Sequence, residues 1–239
     1  MLIYGINPVL EALRAGRVTE VRISARAGGR IDEVIAVAGR AHVAVRRVAP
    51  ADLDRAVRGG VHQGVAADLR DQSSLGIDDL VARAAGAPLI VVLDGIEDPH
   101  NLGAILRTAD AAGADGVVRQ SRHAAPLGGA TAKTSAGAVA HVKIAEVVNI
   151  ARALEALKAA GVWTVGLAGD APQPYDAIDY RLPTALVVGA EGAGLRRLVR
   201  ERCDWLVSIP MQGHVQSLNA SVATGIALFE ALRQRRAGH

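Results

Sequence analysis

The feature that most limits how this chain can fold is a set of short apolar runs, each about as long as one strand, alternating with helical patterns. The clearest run, residues 89–93, is continuously apolar and lies between Pro88 and Asp94. A strand that is apolar on both faces belongs inside a parallel sheet that helices cover on both sides. Further strand candidates are residues 116–118, 162–167, 185–188 and 205–209. Repeated strand–helix units predict an α/β domain with a mostly parallel sheet.

A polar segment of small residues, 71–76, predicts a linker between two domains. In front of it, residues 1–70 follow the pattern α-β-α-β-α-β, which is sufficient for a compact α/β unit. Its first helix is predicted from Asn7 and Pro8, which have the form of an N-cap followed by proline at the first helical position. We therefore expect a small domain at residues 1–70 and a larger domain at residues 77–239.

Composition excludes several classes of protein. Half of the 239 residues are hydrophobic, yet no apolar run approaches the roughly 20 residues that span a bilayer. The N-terminus contains Gly5, Asn7 and Pro8 and lacks the apolar core of a signal peptide, so we expect a cytoplasmic protein. The single cysteine, Cys203, cannot form an intramolecular disulfide.

The basic residues are unevenly distributed. The net charge is only +3, but residues 1–70 contain 11 arginines and 7 acidic residues. Arginine forms bidentate contacts with phosphates, so the front domain is the expected site of contacts with any phosphate-bearing partner. With two Trp, three Tyr and one Phe in the chain, base stacking is not expected to dominate recognition.

The last long stretch of the chain reads as a strand, a polar loop and a helix. Pro210 stops the apolar run 205–209, and Ser217 is a natural N-cap for a helix. The stripe expected to face the core consists of Leu218, Val222, Gly225, Phe229 and Leu232. Ligands often bind at such strand-to-helix turns in α/β proteins, because free backbone N–H groups converge there.

Three long motifs occur in order along the chain. They are D-P-H-N-L-G-A-I-L-R-T-A-D-A-A-G-A-D-G-V-V at residues 98–118, L-V-V-G-A-E-G-A-G-L at 186–195, and a third that begins I-P-M-Q-G-H-V-Q-S-L-N-A-S and fills 209–236. Together they resemble the SpoU, or TrmH-type, RNA ribose 2′-O-methyltransferases of the SPOUT superfamily. The opening Y-G-I-N-P-V-L-E-A-L resembles the small RNA-binding domain that many members have in front.

The resemblance implies more than the residue pattern does. Pattern alone favours a doubly wound sheet without a knot, whereas the family implies a C-terminal trefoil knot, threaded after residues 189–194, with S-adenosyl-L-methionine bound in the knotted loops. Taken alone, the glycines of this loop are a weak signal. They do not match G-x-G-x-x-G opening a first strand–helix unit, which disfavours a nicotinamide cofactor.

Motif positions imply a set of cofactor-binding residues. Gly189, Ile209 and Leu218 look like the residues that enclose the cofactor, and Met211 lies beside them in the third motif. From the residue types alone, Ile209 and Leu218 would be ordinary core residues, which is compatible with forming the wall of a cofactor site.

Five residues look catalytic by motif position: Asn101, Arg107, Glu191, Ser217 and Asn219. Without the resemblance, Asn101 would be an N-cap, Arg107 a solvated surface residue and Glu191 a turn residue. We expect Arg107 to act electrostatically near the target phosphate and 2′-hydroxyl, because a guanidinium group is too weak an acid to serve as a general base. Glu191 is expected to order its loop or to bind Arg107. No set of residues has the spacing of metal ligands, so no metal is expected.

These observations predict an S-adenosyl-L-methionine-dependent RNA 2′-O-methyltransferase that acts as a homodimer through its catalytic domain. The resemblance points to a guanosine ribose of 23S rRNA as the substrate. A tRNA guanosine is the alternative substrate, and a non-catalytic RNA-binding protein of the same fold is the alternative class. Alanines along the last helix are expected to let a second helix approach closely: Ala220, Ala223, Ala227 and Ala231.

Overall fold

The computed structural model describes residues 1–25, 29–70 and 75–237. Contacts between residues divide the chain into two compact units. The first contains Met1–Ser73, Leu102–Arg107 and Ala125–His141, and the second contains Ser74–Asn101, Thr108–Ala124 and Val142–His239. Residues 71–74 of the predicted linker lie outside the described residues, so the linker and the domain limits stay predictions.

The first unit contains a mixed sheet with helices. Its elements up to residue 69 are β1 (Leu2–Tyr4), α1 (Ile6–Arg14), β2 (Val18–Ser24), α2 (Ile31–Arg40), β3 (Ala44–Val48), α3 (Pro50–Val57) and β4 (Val65–Leu69). The strands are ordered β1-β4-β2-β3, and β4 is antiparallel to both of its neighbours while β2 and β3 are parallel. The pattern predicted from sequence is confirmed from α1 to β4, with β1 added in front.

The start of α1 differs from the prediction. The helix begins at Ile6, after Gly5 with φ +96°, so Asn7 lies inside its first turn and is not the N-cap. The side chain of Gln63 accepts a hydrogen bond from the Ile6 N–H at 3.0 Å and so satisfies a helix-end donor. A residue 57 positions away therefore caps this helix, which a local sequence pattern cannot indicate.

The remaining elements follow in chain order. They are α4 (Ile77–Ala82), β5 (Leu89–Asp94), α5 (Pro99–Ala111), β6 (Gly116–Gln120), α6 (Ala130–Thr134), β7 (Ile144–Val147), α7 (Ile150–Ala159), β8 (Trp163–Leu167), β9 (Gln173–Pro174), β10 (Thr184–Gly189), α8 (Arg197–Arg202), β11 (Trp205–Ser208) and α9 (Ala220–Ala237). Short 3-10 turns occupy Ala138–Ala140 and Tyr175–Ala177. Most of these elements belong to the second unit; α6 and part of α5 belong to the first.

The sheet of the second unit confirms the α/β prediction. Its order is β7-β6-β5-β10-β8-β11-β9, and each of these pairings is parallel. Every residue of β5, β6 and β10 is buried, as expected for strands with helices on both faces. Leu154 and Leu157 of α7 are fully buried in the same core, each contributing about 1.5–3 kcal/mol of hydrophobic stabilisation.

The topology leaves a crevice at the carboxyl edge of this sheet. β5 and β10 are neighbours, with Asp94 opposite Gly189 at their last pair. The next strand in sequence after β5 is β6 on one side, whereas β10 has β8 on its other side. Connections diverge at such a point, and ligands of α/β proteins bind there. The trefoil knot stays an implication of the family resemblance.

The last helix departs from the prediction in its start and in its buried face. It begins at Ala220 rather than Ser217, and its buried residues are Ala220, Thr224, Ala227, Leu228 and Ala231. Val222 and Phe229 of the predicted core stripe are about half exposed. Because this helix is apolar around most of its circumference, its periodicity did not indicate which face meets the sheet. The alanine stripe packs largely within its own chain.

Within the described ranges, no helix is both long and apolar enough to cross a membrane.

Candidate active site

A narrow glycine loop follows β10. Ala190 and Gly194 exchange two backbone hydrogen bonds, at 3.1 and 2.8 Å, and close the loop. A Cβ added to Gly189 would lie 2.2 Å from the carbonyl carbon of Gly194, so no larger residue fits there without moving the backbone. Gly192 and Gly194 have positive φ angles of 77° and 65°. The loop therefore excludes a side chain at Gly189, and its backbone conformation favours glycine at Gly192 and Gly194.

The loop borders a cavity of about 230 Å³, which we call the first cavity. Its walls come from the ends of β8, β10 and β11 and from the segment before α9. The larger apolar side chains of this wall are Leu167, Val188, Val207, Ile209, Met211 and Leu218. Backbone of the glycine loop and of Gly169 completes it. The cavity thus combines apolar walls with exposed peptide groups, the combination that holds small organic ligands.

The four residues predicted to bind the cofactor, Gly189, Ile209, Met211 and Leu218, all line this cavity. Ser217 lines it as well. They come from two segments, the end of β10 and the stretch after β11. Residues singled out by motif position are therefore brought together in space, although their roles stay predictions.

Three predicted site residues form a hydrogen-bond network next to the cavity. The Nδ2 of Asn101 donates to Oε2 of Glu191 at 3.0 Å. The Nδ2 of Asn219 donates to Oδ1 of Asn101 at 2.8 Å and lies 3.5 Å from Oε2 of Glu191. Each of the three sequence motifs supplies one member of this network.

Asn101 owes its position to the first turn of α5. Asp98 is the N-cap, and its carboxylate accepts from the backbone N–H groups of His100 at 3.1 Å and Asn101 at 3.2 Å. Asn101 is therefore not the cap that its residue type suggested. Its amide is free to reach across the sheet edge, and the residue is 8% exposed.

Asn219 takes part in the network and also caps the start of α9. Its Oδ1 accepts from the backbone N–H of Ser221 at 2.9 Å and from the Ser221 hydroxyl at 2.6 Å. It therefore satisfies an N-terminal donor of α9, the task the sequence had assigned to Ser217. With the oxygen engaged in this way, the amide nitrogen points toward Asn101 and Glu191.

Arg107 lies on α5 with an exposed side chain, and it is grouped with the first unit. Glu191 was expected to order its loop or to bind Arg107. Its carboxylate accepts hydrogen bonds from the amides of Asn101 and Asn219, and the role expected for Glu191 stays a prediction. The role of Arg107 stays a prediction.

Another cavity, of about 440 Å³, also borders the glycine loop, and we call it the second cavity. Its walls include the segment after β5, the end of β6 at Gln120, and Glu191 of the network. Asp94, which is 1% exposed, ends β5 and accepts hydrogen bonds from Arg196 through the backbone N–H at 2.8 Å and Nε at 2.7 Å. This pairing offsets the cost of burying the Asp94 carboxylate.

Sequence reasoning missed Asp94, Arg196 and Gln120. The available signal was a polar residue at the end of a buried strand, as in Asp94 and Gln120, because such residues reach the carboxyl edge where α/β proteins bind ligands. Among the residues that the structure describes, no group of three or more His, Cys, Asp or Glu is placed to hold a metal ion.

Comparison with known proteins covers both units. Residues 88–229 match the SpoU rRNA Methylase family, and residues 2–74 match the RNA 2′-O ribose methyltransferase substrate binding family. The chain is 45% identical to the 23S rRNA (guanosine-2′-O-)-methyltransferase RlmB of Pseudomonas syringae pv. tomato, over 98% of this chain and 96% of that protein.

Solved structures agree with this. The SpoU methyltransferase AviRb from Streptomyces viridochromogenes, in complex with the cofactor AdoMet, superposes with a TM-score of 0.82 at 29% identity, covering 100% of this chain and 91% of that one. The AdoMet-bound rRNA methyltransferase from Sinorhizobium meliloti superposes with a TM-score of 0.80 at 30% identity, covering 97% and 86%.

Proposed function

The chain belongs to the SpoU rRNA methylase family, and we propose that it methylates the ribose 2′-hydroxyl of a guanosine in 23S rRNA. It is an RNA 2′-O-methyltransferase that uses S-adenosyl-L-methionine. The observation that supports this function most directly is the hydrogen-bonded set of Asn101, Glu191 and Asn219 beside the first cavity. It joins one residue from each of the three sequence motifs at the carboxyl edge of the sheet.

The first cavity fits S-adenosyl-L-methionine by the chemistry of its walls. Ile209 and Leu218 offer apolar surface to an adenine ring, and the backbone of residues 189–194 offers hydrogen-bonding groups to its polar edges. Gly189 leaves no space for a side chain beside the loop. The bound cofactor supplies an electrophilic methyl group on its sulfonium.

The network beside the cavity positions polar groups for the nucleotide. Glu191 accepts from two amides, and these bonds hold the glycine loop to α5 and to the start of α9. We propose that this arrangement orients the ribose so that its 2′-oxygen faces the first cavity, since alignment of the reacting atoms is a large part of such catalysis. Ser217 lines the cavity, and its hydroxyl is proposed to donate a hydrogen bond to the cofactor or the ribose.

Arg107 is proposed to contact the phosphate next to the target ribose. Its exposed guanidinium is a positively charged group that can stabilise negative charge developing on the 2′-oxygen.

The first unit is proposed to bind the RNA through phosphate contacts. The match to a substrate-binding family covers residues 2–74, and Arg46 and Arg47 on β3 are exposed. Because β3 is the last strand in the sheet order, its outer side has no neighbouring strand in the described chain. Arginines on such an edge can follow an RNA backbone.

We also propose that the protein acts as a homodimer through α9. Val222 and Phe229 are 49% and 50% exposed and lie on one face of this helix, seven residues apart. An exposed aromatic and a β-branched residue on one helical face suit packing against the same face of a second copy.

The substrate assignment is tested by transfer of tritiated methyl groups to 23S rRNA and to bulk tRNA in parallel. We expect label in 23S rRNA, recovered after digestion as 2′-O-methylguanosine. Label confined to tRNA would replace 23S rRNA by the alternative substrate, and label on a base would overturn ribose methylation.

A further inference from the structure

Gln120 lines the second cavity, and the oxygen of its side-chain amide is buried without a hydrogen-bond donor among the described residues. The residue ends β6 and is 7% exposed. Its Oε1 is buried and accepts no hydrogen bond from any residue that the structure describes. A buried amide oxygen without a donor carries a desolvation cost, so its retention calls for a partner that binds there.

The cavity next to Gln120 is the place where such a partner would meet the catalytic network. The second cavity shares Ala190, Glu191 and Gly194 with the first cavity. A nucleotide whose ribose lies at the network would therefore have the second cavity within reach of its base. Asn101 lines the second cavity as well.

The charges around the second cavity select against phosphate. Glu97 and Asp98 are exposed at its rim, and Glu191 forms part of its wall. Its lining has one arginine, Arg196, which is bound to Asp94, and one histidine, His123. A surplus of carboxylates repels a phosphate group and favours a neutral ligand that carries N–H donors. The Watson–Crick edge of guanine has such donors, together with an acceptor at O6.

We propose that Gln120 recognises the base of the target nucleotide in the second cavity, with its Oε1 accepting from the guanine edge and its Nε2 donating to O6. This inference rests on the proposed function, because the base must belong to the nucleotide whose ribose is methylated. Gln120 is then a specificity-determining residue, and the carboxylates at the rim favour guanine further.

The test is Gln120→Met, which keeps the length of the side chain and removes both polar atoms. The matched control is Gln234→Met, because the Gln234 amide is fully used: its Oε1 accepts from Tyr180 N–H at 2.9 Å and its Nε2 donates to Ile178 O at 3.0 Å. Each full-length variant is assayed for thermal unfolding, for S-adenosyl-L-methionine affinity by calorimetry, and for methyl transfer. The RNA probes are a 23S rRNA transcript and the same transcript with the mapped target guanosine changed to adenosine.

For Gln120→Met we expect an unchanged or higher unfolding temperature, unchanged cofactor affinity, and a loss of about tenfold to a hundredfold in kcat/KM on the guanosine transcript. The preference for guanosine over adenosine should fall with it. For Gln234→Met we expect a lower unfolding temperature with the base preference intact. A second variant, Gln120→Glu, keeps an acceptor and should retain the guanosine preference.

Unchanged base preference in both Gln120 variants, in protein that transfers methyl groups, would overturn the inference and leave the proposed function standing. So would a parallel loss of unfolding temperature, cofactor affinity and transfer in Gln120→Met, which is the result of a merely structural role. Failure of the wild-type protein to methylate the 23S transcript would overturn the proposed function itself and this inference with it.

Discussion

The side-chain amide of Asn219 donates a hydrogen bond to Oδ1 of Asn101 at 2.8 Å, although 118 positions separate the two residues. Asn101 in turn donates a hydrogen bond from its Nδ2 to Oε2 of Glu191. Asn219 is also tied to the start of α9 through Ser221. One side chain therefore couples the start of the last helix to the network at the carboxyl edge of the sheet, and its two functions can be separated by substitution.

Asn219→Ser and Asn219→Ala should separate helix capping from network formation. Serine can cap α9 but is too short to replace the amide that reaches Asn101, whereas alanine can do neither. We expect Asn219→Ala to lower the free energy of unfolding by about 1 kcal/mol, and Asn219→Ser to leave it near the wild-type value. Both should lose methyl transfer, by roughly tenfold.

Urea denaturation and single-turnover methyl transfer measure these two properties independently. Full activity in Asn219→Ser would mean that capping is the whole contribution of this residue and that the bond to Asn101 is dispensable.

Arg107→Ala should lower methyl transfer by about a hundredfold or more while cofactor affinity stays within a few-fold of wild type. The reason is that Arg107 is proposed to act on the RNA and not on the cofactor. Kinetics and calorimetry on the same preparation test this, with the exposed Arg236→Ala as a control for loss of one positive charge. Equal losses of rate and of cofactor affinity in folded Arg107→Ala would contradict the assigned role.

Replacing Arg46 and Arg47 together by alanine should weaken RNA binding and flatten its salt dependence. If both side chains contact phosphates, the slope of log affinity against log salt falls by about one to two. Substitution is preferable to truncation, because residues 102–107 and 125–141 are grouped with residues 1–73 in the first unit. Arg55→Ala is the control, since Arg55 is already paired with Asp52. An unchanged slope in the double variant would remove β3 from the RNA-binding surface.

Most of the fold could be predicted from sequence, because many of its strands are continuous apolar runs that can be recognised in the sequence. Leu89–Asp94 and Thr184–Gly189 were placed to within a residue or so for this reason. The strand at Ile144–Val147 was not among the predicted strands, because the run is short and directly precedes α7. The α9 stripe was assigned to the wrong face because apolar residues surround most of that helix.

The residues of the candidate site could be predicted from sequence, but the hydrogen bonds between them could not. Motif resemblance indicated Asn101, Glu191 and Asn219, yet pairing of the Glu191 carboxylate with two amides depends on positions that only the folded sheet edge brings together. Gln120 gave no motif signal. Gln120 became a candidate because its side chain is buried and its Oε1 has no hydrogen-bond donor among the described residues. Both are properties of the folded chain.

Cys203 should react slowly with thiol reagents, because burial raises the pKa of its thiol to about 12. The Sγ also donates to the carbonyl of Val199 at 3.3 Å. At pH 8 the folded protein then contains very little thiolate, so alkylation by iodoacetamide should be slow and should accelerate sharply in denaturant. Fast alkylation of the native protein, with no change on unfolding, would contradict this.

The same raised pKa makes a contribution to stability that depends on pH. The folded state retains the Cys203 proton at pH values where the unfolded thiol, with its ordinary pKa near 9, has lost it. This contribution is therefore fully present below about pH 9 and is lost as the pH rises through the folded-state pKa. Comparing the unfolding free energy of wild type and Cys203→Ala between pH 8 and 10 tests it: the wild type should lose stability more steeply.

Phe229→Asp should convert the proposed dimer into a monomer. Phe229 and Val222 share the exposed face of α9, and a carboxylate placed there would be buried without a partner in a helix-to-helix interface. Sedimentation equilibrium should give twice the chain mass of 24.7 kDa for wild type and the single chain mass for Phe229→Asp. Leu182→Asp, at a residue that is 43% exposed outside α9, is the matched control and should remain dimeric. Wild-type protein that sediments as a fully active monomer would exclude the dimer, whereas a dimer that persists in Phe229→Asp would place the interface on another face of the chain.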